Sequence, residues 1–184
     1  MSKSVRIMIK NVRCQFPKLF QAEEYMGKKN FSIGLLIPAG SENYKAVEAA
    51  ADEAAESAFP GKGASMVKKF RGSRTTWPLK ELDDGAFIIT PKRREEQGAP
   101  LVMDQKKQIL PADSGKPYAG CYVNASVDVF CYTKNGGGIT AYLNGVQFVK
   151  DGQPLGAGAT AASCKDDFEE LETPDELTDG SDLL

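Results

Sequence analysis

The sequence predicts a mainly β fold, on three observations. First, Tyr122–Tyr132 alternates without a break: Val123, Ala125, Val127, Val129 and Cys131 on one face, Tyr122, Asn124, Ser126, Asp128, Phe130 and Tyr132 on the other. Second, Asn135-Gly136-Gly137-Gly138 follows directly, a hairpin turn leading into the apolar run Ile139–Leu143. Third, only one long segment has a helical period. At 184 residues, with 41% hydrophobic and 26% charged residues, the chain has room for one domain, or one domain and a tail.

The elements follow in order. Val5, Ile7 and Ile9 alternate with Arg6, Met8 and Lys10, a strand with basic residues outside. Asn30–Pro38 places Phe31, Ile33, Leu35 and Ile37 on one face, and Pro38-Ala39-Gly40 stops it. Ser41 offers a helix cap, with Glu42 at the positive end of the helix dipole. From Glu42 to Phe59, Ala46, Val47, Ala50, Ala54 and Ala58 recur at helical steps, giving a thin apolar face suited to flanking or plugging a sheet. Pro60-Gly61 ends it. Residues 61–84 read as irregular and basic, Ala86–Thr90 as a strand, Leu101–Met103 as a short strand and Pro111–Pro117 as a loop. Val146, Phe148 and Val149 extend the last strand past a bulge at Gly145. The count fits a five-stranded antiparallel Greek-key barrel of the OB type, with one Ala-rich helix; pattern alone leaves sandwiches open.

Charge divides the chain. Asp166, Asp167, Glu169, Glu170, Glu172, Asp175, Glu176, Asp179 and Asp182 form a run with no Lys or Arg. Residues 1–165 keep all 23 bases against 16 acids, so a basic body precedes an acidic tail, the asymmetry of a nucleic-acid binder. Gly152–Ser163 reads as a loop and linker, and the tail has too little apolar surface to offset chain entropy, so disorder is expected there. The expected division is residues 1–155 as the binding domain and 156–184 as linker and tail. The opening MSKSVRIMIKNVR lacks the apolar block of a secretory signal, and no run is long enough to span a membrane, so a cytoplasmic chain is expected. Cys14, Cys121, Cys131 and Cys164 then read as free thiols without metal spacing.

Binding an unpaired strand needs cations for phosphates and aromatic faces for bases. Lys68, Lys69, Arg71 and Arg74 stand with Phe70 and Trp77, and Lys92-Arg93-Arg94 follows a strand. The expected phosphate contacts are Lys68, Lys69, Arg71, Arg74, Lys92, Arg93 and Arg94; the expected stacking residues are Tyr122, Tyr132 and Trp77. A lone tryptophan such as Trp77 is more often a core or rim packing residue than a stacking platform, and Phe70 and Phe87 read as core. A Mg²⁺-dependent nuclease is the rival reading, on Asp83-Asp84, Glu95-Glu96, Asp104 and Asp128, with Lys106 or Lys107 assisting. The absence of histidine and of a clean acidic constellation argues against it. A protein-interaction module that binds no DNA is a second rival. No cofactor or metal is expected; Gly136-Gly137-Gly138 lacks the pattern of a phosphate-binding loop.

The stretch Gly120-Cys-Tyr-Val-Asn-Ala-Ser-Val-Asp-Val, Tyr132, the glycine turn and Leu143-Asn-Gly-Val-Gln-Phe-Val-Lys-Asp-Gly resemble a tailed-phage family. The family is that of phage replicative single-stranded DNA-binding proteins, long catalogued as a domain of unknown function. The opening strand, the Ala-rich helix and Ile89-Thr-Pro-Lys-Arg-Arg resemble it too, so the likeness spans most of residues 1–155. It implies an OB fold that coats single strands in replication and recombination within the infected bacterium. It also implies an acidic tail that competes with DNA and recruits replisome partners such as a polymerase or helicase. The tail departs from such proteins in finishing Leu183-Leu184 where many finish in an aromatic residue.

Overall fold

The computed structural model describes residues 3–155 and 170–171. The long strand β1 (Val5–Tyr25) turns tightly into β2 (Lys28–Ile37). Two helices follow, α1 (Glu42–Ala58) and α2 (Gly63–Arg71). Four short strands come next: β3 (Leu79–Glu81), β4 (Phe87–Ile89), β5 (Lys92–Arg94) and β6 (Leu101–Met103). The long hairpin of β7 (Tyr122–Tyr132) and β8 (Gly138–Lys150) completes the fold.

Five strands close a ring. β1 pairs with β7, β7 with β8, β8 with β5, β5 with β2, and β2 again with β1. The two halves of β1 serve different partners: Val5–Arg13 lies on β7, and Cys14–Tyr25 lies on β2. A register shift between Ile9 and Val12 lets the strand turn that corner. The ring is the OB-type barrel expected, with closure removing its open edges. β4 and β3 continue from β2 outside the ring, and β6 lies on β8.

The fold differs from the expectation in three details. Among the described residues there are eight strands rather than five, because β3, β4 and β6 add to the ring. Two pairings, β5–β8 and β6–β8, are parallel rather than antiparallel. A second helix, α2, occupies part of the stretch read as irregular. That helix has no capping side chain of its own. The carboxylate of Glu56, in the last turn of α1, accepts the amides of Gly61 (2.5 Å) and Gly63 (3.0 Å). Its start is therefore fixed by a side chain of the preceding helix, so no capping residue at the start itself signals it.

The core fills the ring and the seam beneath α1. The inward residues of β7 (Val123, Ala125, Val127, Val129, Cys131) are all fully buried, as the alternation required. α1 lays Val47, Ala50, Ala51, Ala54 and Ala55 against β1 and β7, its small side chains allowing close approach. Ser41 caps it, its Oγ accepting the Tyr44 amide at 3.3 Å. Phe59 and Phe70 pack ring to ring at 6.3 Å and join the two helices. The bulge expected at Gly145 falls beside it, where Asn144 has no partner on β7. Cys14, Cys121 and Cys131 are buried free thiols, and Cys164 lies outside the described residues. Among the described residues no helix is long and apolar enough to cross a membrane.

Candidate nucleic-acid interface

Strand pairing builds a row of side chains across the outside of the barrel. Lys18 on β1 faces Ser32 on β2, Ser32 faces Lys92 on β5, Lys92 faces Tyr142 on β8, Tyr142 faces Asp128 on β7, and Asp128 faces Arg6 on β1. All six point outward by alternation: Ser32 lies between buried Phe31 and Ile33, and Tyr142 between buried Ala141 and Leu143. From Lys18 to Tyr142 is three strand spacings, about 14 Å. Tyr142 is 40% exposed, and its ring meets that of Phe130 at 6.1 Å.

At the far end of the row the one acid is neutralised. Arg6 donates to both carboxylate oxygens of Asp128, at 2.8 and 3.2 Å, and Asn144 donates a third bond at 3.0 Å. The Arg6 bond holds the Asp128 carboxyl below its ordinary value, against the opposing effect of burial, and raises the Arg6 guanidinium in turn. The row presents cations and an aromatic face with its single carboxylate already engaged.

Beside Lys92 the surface dips into two open hollows on either side of Trp77, of about 560 and 500 Å³. The first is lined by Arg71, Arg74, Trp77 and Lys80, among others; the second by Arg74, Trp77, Lys80, Lys92, Tyr132 and Thr140. Arg74, Lys80 and Lys92 form no ion pair among the described residues. Trp77 is only 8% exposed, and the Arg71 guanidinium lies 4.5 Å from the centre of its ring. Arg71 also donates to Glu48 at 2.8 Å. Burial, the largest single effect, lowers the pKa of Arg71, but the bond and charge of Glu48 together with Tyr44 outweigh it, so the guanidinium is raised and stays charged.

Four of the residues singled out from sequence therefore meet here: Arg74, Trp77, Lys92 and Tyr132, with Arg71 alongside. The others are placed differently. Lys68 and Lys69 are exposed on the last turn of α2, where they suit its negative end, and line neither hollow. Arg93 turns its guanidinium to the carbonyls of Gly98 and Gln97, both at 2.8 Å, and so ties a loop. Arg94 pairs with Glu96 at 3.4 Å. Tyr122 stands at the opposite end of β7 from Tyr132, with Lys150 Nζ 4.6 Å from its ring centre. Of the tail acids only Glu170 is described, and it is exposed; Asp166, Asp167, Glu169, Glu172, Asp175, Glu176, Asp179 and Asp182 lie outside the described residues.

Sequence reasoning missed Tyr142, Lys80 and Lys18. The signal for Tyr142 was present: the alternation in Ile139–Leu143 that buries Ala141 and Leu143 turns Thr140 and Tyr142 outward. Lys18 follows a register shift in β1, which hides its facing from any regular count.

Four of the six acids of the nuclease reading, Asp84, Glu96, Asp104 and Asp128, are engaged by other groups. Asp84 accepts the Ala86 amide at 3.0 Å, and Asp104 accepts those of Lys106 (2.8 Å) and Gln108 (2.9 Å). No three Asp, Glu, Cys or His side chains converge as a metal site among the described residues.

A closed OB-type barrel with a cationic, aromatic outer face defines a class, that of barrels built to hold an extended nucleic-acid strand. Within that class, the chain belongs to the family described as Enterobacter phage Enc34, ssDNA-binding protein, whose model matches residues 5–178. A protein designated p50 of Acyrthosiphon pisum secondary endosymbiont phage 1 is 29% identical over 180 residues, covering 94% of this chain and 97% of that protein. The single-stranded DNA-binding protein of bacteriophage Enc34, solved in complex with ssDNA, shares the fold at a TM-score of 0.61 and 23% identity, over 82% of this chain and 89% of that one. The single-stranded DNA-binding protein gp2.5 of bacteriophage T7 shares it at a TM-score of 0.58 and 15% identity, over 93% and 98% of the two chains.

Proposed function

We propose that this chain binds single-stranded DNA with little sequence preference and coats it during phage replication and recombination in the infected bacterial cell. The observation that carries the reading is the outward row Lys18–Ser32–Lys92–Tyr142, flanked by Arg74, Lys80 and Tyr132. Lys92, Lys80 and Arg74 hold phosphates as point charges, Lys18, 3.8 Å from Glu23, adds charge at the end of the row, and Tyr142, with Tyr132 beside it, offers a face to a base. Such contacts read no base edge, so sequence preference is low. In this reading Lys68, Lys69, Arg71 and Arg94 add charge at the borders, Trp77 backs the hollows, and Tyr122, its ring already covered by Lys150, contributes less than Tyr142.

The body ends near residue 155 in this reading. Arg13 donates to the Gln153 carbonyl at 2.6 Å and the Leu155 amide to that of Ala119 at 2.9 Å, which supports a boundary there. The nine acids beyond it act as a mimic of the DNA backbone: without DNA they screen the basic face, and once displaced they are free to recruit polymerase or helicase. The role is binding, not catalysis, since the carboxylates best placed to serve a nuclease are committed to turns and an ion pair.

The test is a titration of labelled single strand, duplex and RNA with the full chain, with and without Mg²⁺, at several salt concentrations. Binding to the single strand, with log K falling by about 0.7 per phosphate contacted against log salt, is expected. Salt-independent affinity, or shortening of the oligonucleotide with Mg²⁺, overturns the reading.

A further inference from the structure

We propose that Cys14 and Cys121 form a redox latch: hydrogen peroxide joins them in a disulfide, which fastens the loop before β7 to the corner of β1. The latch goes beyond DNA binding and does not depend on it.

The two sulfurs lie 3.6 Å apart, and both residues are fully buried. The backbone holds them there. Cys14 stands where β1 leaves β7 for β2: Arg13 pairs with Tyr122, and Cys14 with Leu35. Gly120 (φ 105°) and Cys121 lie opposite Cys14 in a glycine-led bulge. The Gly120 amide donates to the Cys14 carbonyl at 2.8 Å, and the Cys14 amide to the Cys121 carbonyl at 3.0 Å. Closing the sulfurs to the roughly 2.05 Å of a disulfide is then a movement of two side chains between segments already bonded to each other. Cys131 is equally buried but has no such neighbour among the described residues; its sulfur donates to the Tyr132 carbonyl at 3.8 Å.

The two thiols are also unequal. The hydrogen bond from Cys14 lowers the pKa of Cys121, against burial and the charge of Asp151; that bond, together with burial, raises the pKa of Cys14. Cys121 is therefore the sulfur that ionises first, and the thiolate is the nucleophile. It attacks peroxide: an S–O bond forms as the O–O bond breaks, and the released hydroxide takes up the proton Cys121 gave and leaves as water. The Cys14 sulfur then attacks the Cys121 sulfur. The S–S bond forms as the S–O bond breaks, and the departing hydroxide takes the Cys14 proton as a second water. Two thiols and one peroxide give one disulfide and two waters. Peroxide is small and uncharged, and the loop leading to Cys121 is exposed at Gly115 and Lys116, so a local opening admits it. In a reducing compartment small thiols reverse the bond by exchange.

The loop so fastened is the seat of the last residues of the barrel domain. The Tyr118 hydroxyl donates to Asp151 at 2.8 Å and accepts the Gly152 amide at 3.1 Å, and the Leu155 amide donates to the Ala119 carbonyl at 2.9 Å. Tying this loop to β1 steadies that junction. The bond also links positions far apart in the sequence, which chiefly restricts the unfolded chain.

The test uses the full chain carrying Cys164→Ser, kept native and treated with a few equivalents of peroxide. Intact mass should fall by two hydrogen atoms, and peptide mapping should join Cys14 to Cys121 and leave Cys131 a free thiol. The Tm should rise by roughly 5–10 °C and return with a thiol reductant. Hydrogen exchange at the Gly120 and Leu155 amides should slow. Cys14→Ala and Cys121→Ala should each abolish the rise; the mapping needs neither variant, so the pairing is tested even where they fail to fold. Thiols that stay intact, that gain oxygen without joining, or that react no faster than Cys131 overturn the latch. A disulfide that leaves Tm and exchange unchanged overturns it as well.

Discussion

Replacing Tyr142 by alanine should weaken single-strand binding far more than the same change at Tyr122. The two tyrosines share a sheet face but not a place. Tyr142 stands in the row between Lys92 and Asp128, next to the ring of Phe130, with no cation over it among the described residues. Tyr122 lies at the far end of β7, its ring already covered by Lys150 at 4.6 Å. A stacked base is worth about 1–3 kcal/mol, which converts to roughly a 5- to 150-fold loss for Tyr142→Ala. Tyr142→Phe keeps the face and should keep most of the affinity. Lys92→Ala, one strand away, should reduce the salt slope by about 0.7, the amount for one single-strand phosphate. Fluorescence anisotropy of a labelled oligothymidine over a salt series reads both quantities, and circular dichroism checks that the substitutions at these exposed side chains leave the fold intact. Equal losses at Tyr122 and Tyr142, or an unchanged slope in Lys92→Ala, would refute the placement of the strand along this row.

Three further outcomes are expected. Deleting residues 166–184 should tighten binding to single strands at low salt, with the gain shrinking as salt screens the tail; a truncated protein of unchanged affinity removes the competition. Asp128→Asn should flatten the acid limb of the stability curve, read by urea unfolding at several pH values. The Asp128 carboxyl is held low in the fold, so its contribution is complete above the unfolded value near 3.9 and is lost as pH falls through the folded one. A wild type and variant with parallel profiles below about pH 4 would contradict this. Gly138→Ala should destabilise the protein by about 1–3 kcal/mol in thermal melts, since its Cβ would strike the Tyr132 ring, and should move that ring within the hollow it lines.

What the sequence disclosed, and what it hid, follows from the range of the forces involved. The alternation of β7, the period of α1 with its Ser41 cap and the Pro38 stop are local, and each element stands where that pattern put it. α2 was hidden because its cap comes from Glu56, and β5 because a three-residue strand is made by its neighbours rather than by its own composition. The site shows the same division. Lys92 and Tyr132 were legible as a basic run and an outward aromatic. Arg93, inside that run, instead commits its guanidinium to the carbonyls of Gln97 and Gly98, and that depends on a loop no count of charges reveals.

Net charge conceals how such a molecule works. The chain as a whole is slightly acidic, at a formal -2, which by itself argues against holding a polyanion. The acids are concentrated in the tail, and among the described cations the fold binds some to partners and leaves others without an ion pair. Arg6, Arg71, Arg93 and Arg94 carry as much charge as Lys92, but each is bound to a carboxylate or to carbonyls. Lys92, Lys80 and Arg74 are not, among the described residues, and they gather on one side of the barrel beside two outward tyrosines. An unpaired cation gains most from a phosphate, since it gives up no partner to take one. On the proposed reading, affinity follows which charges the strand pairing leaves free on that side of the barrel, and only secondarily how many there are.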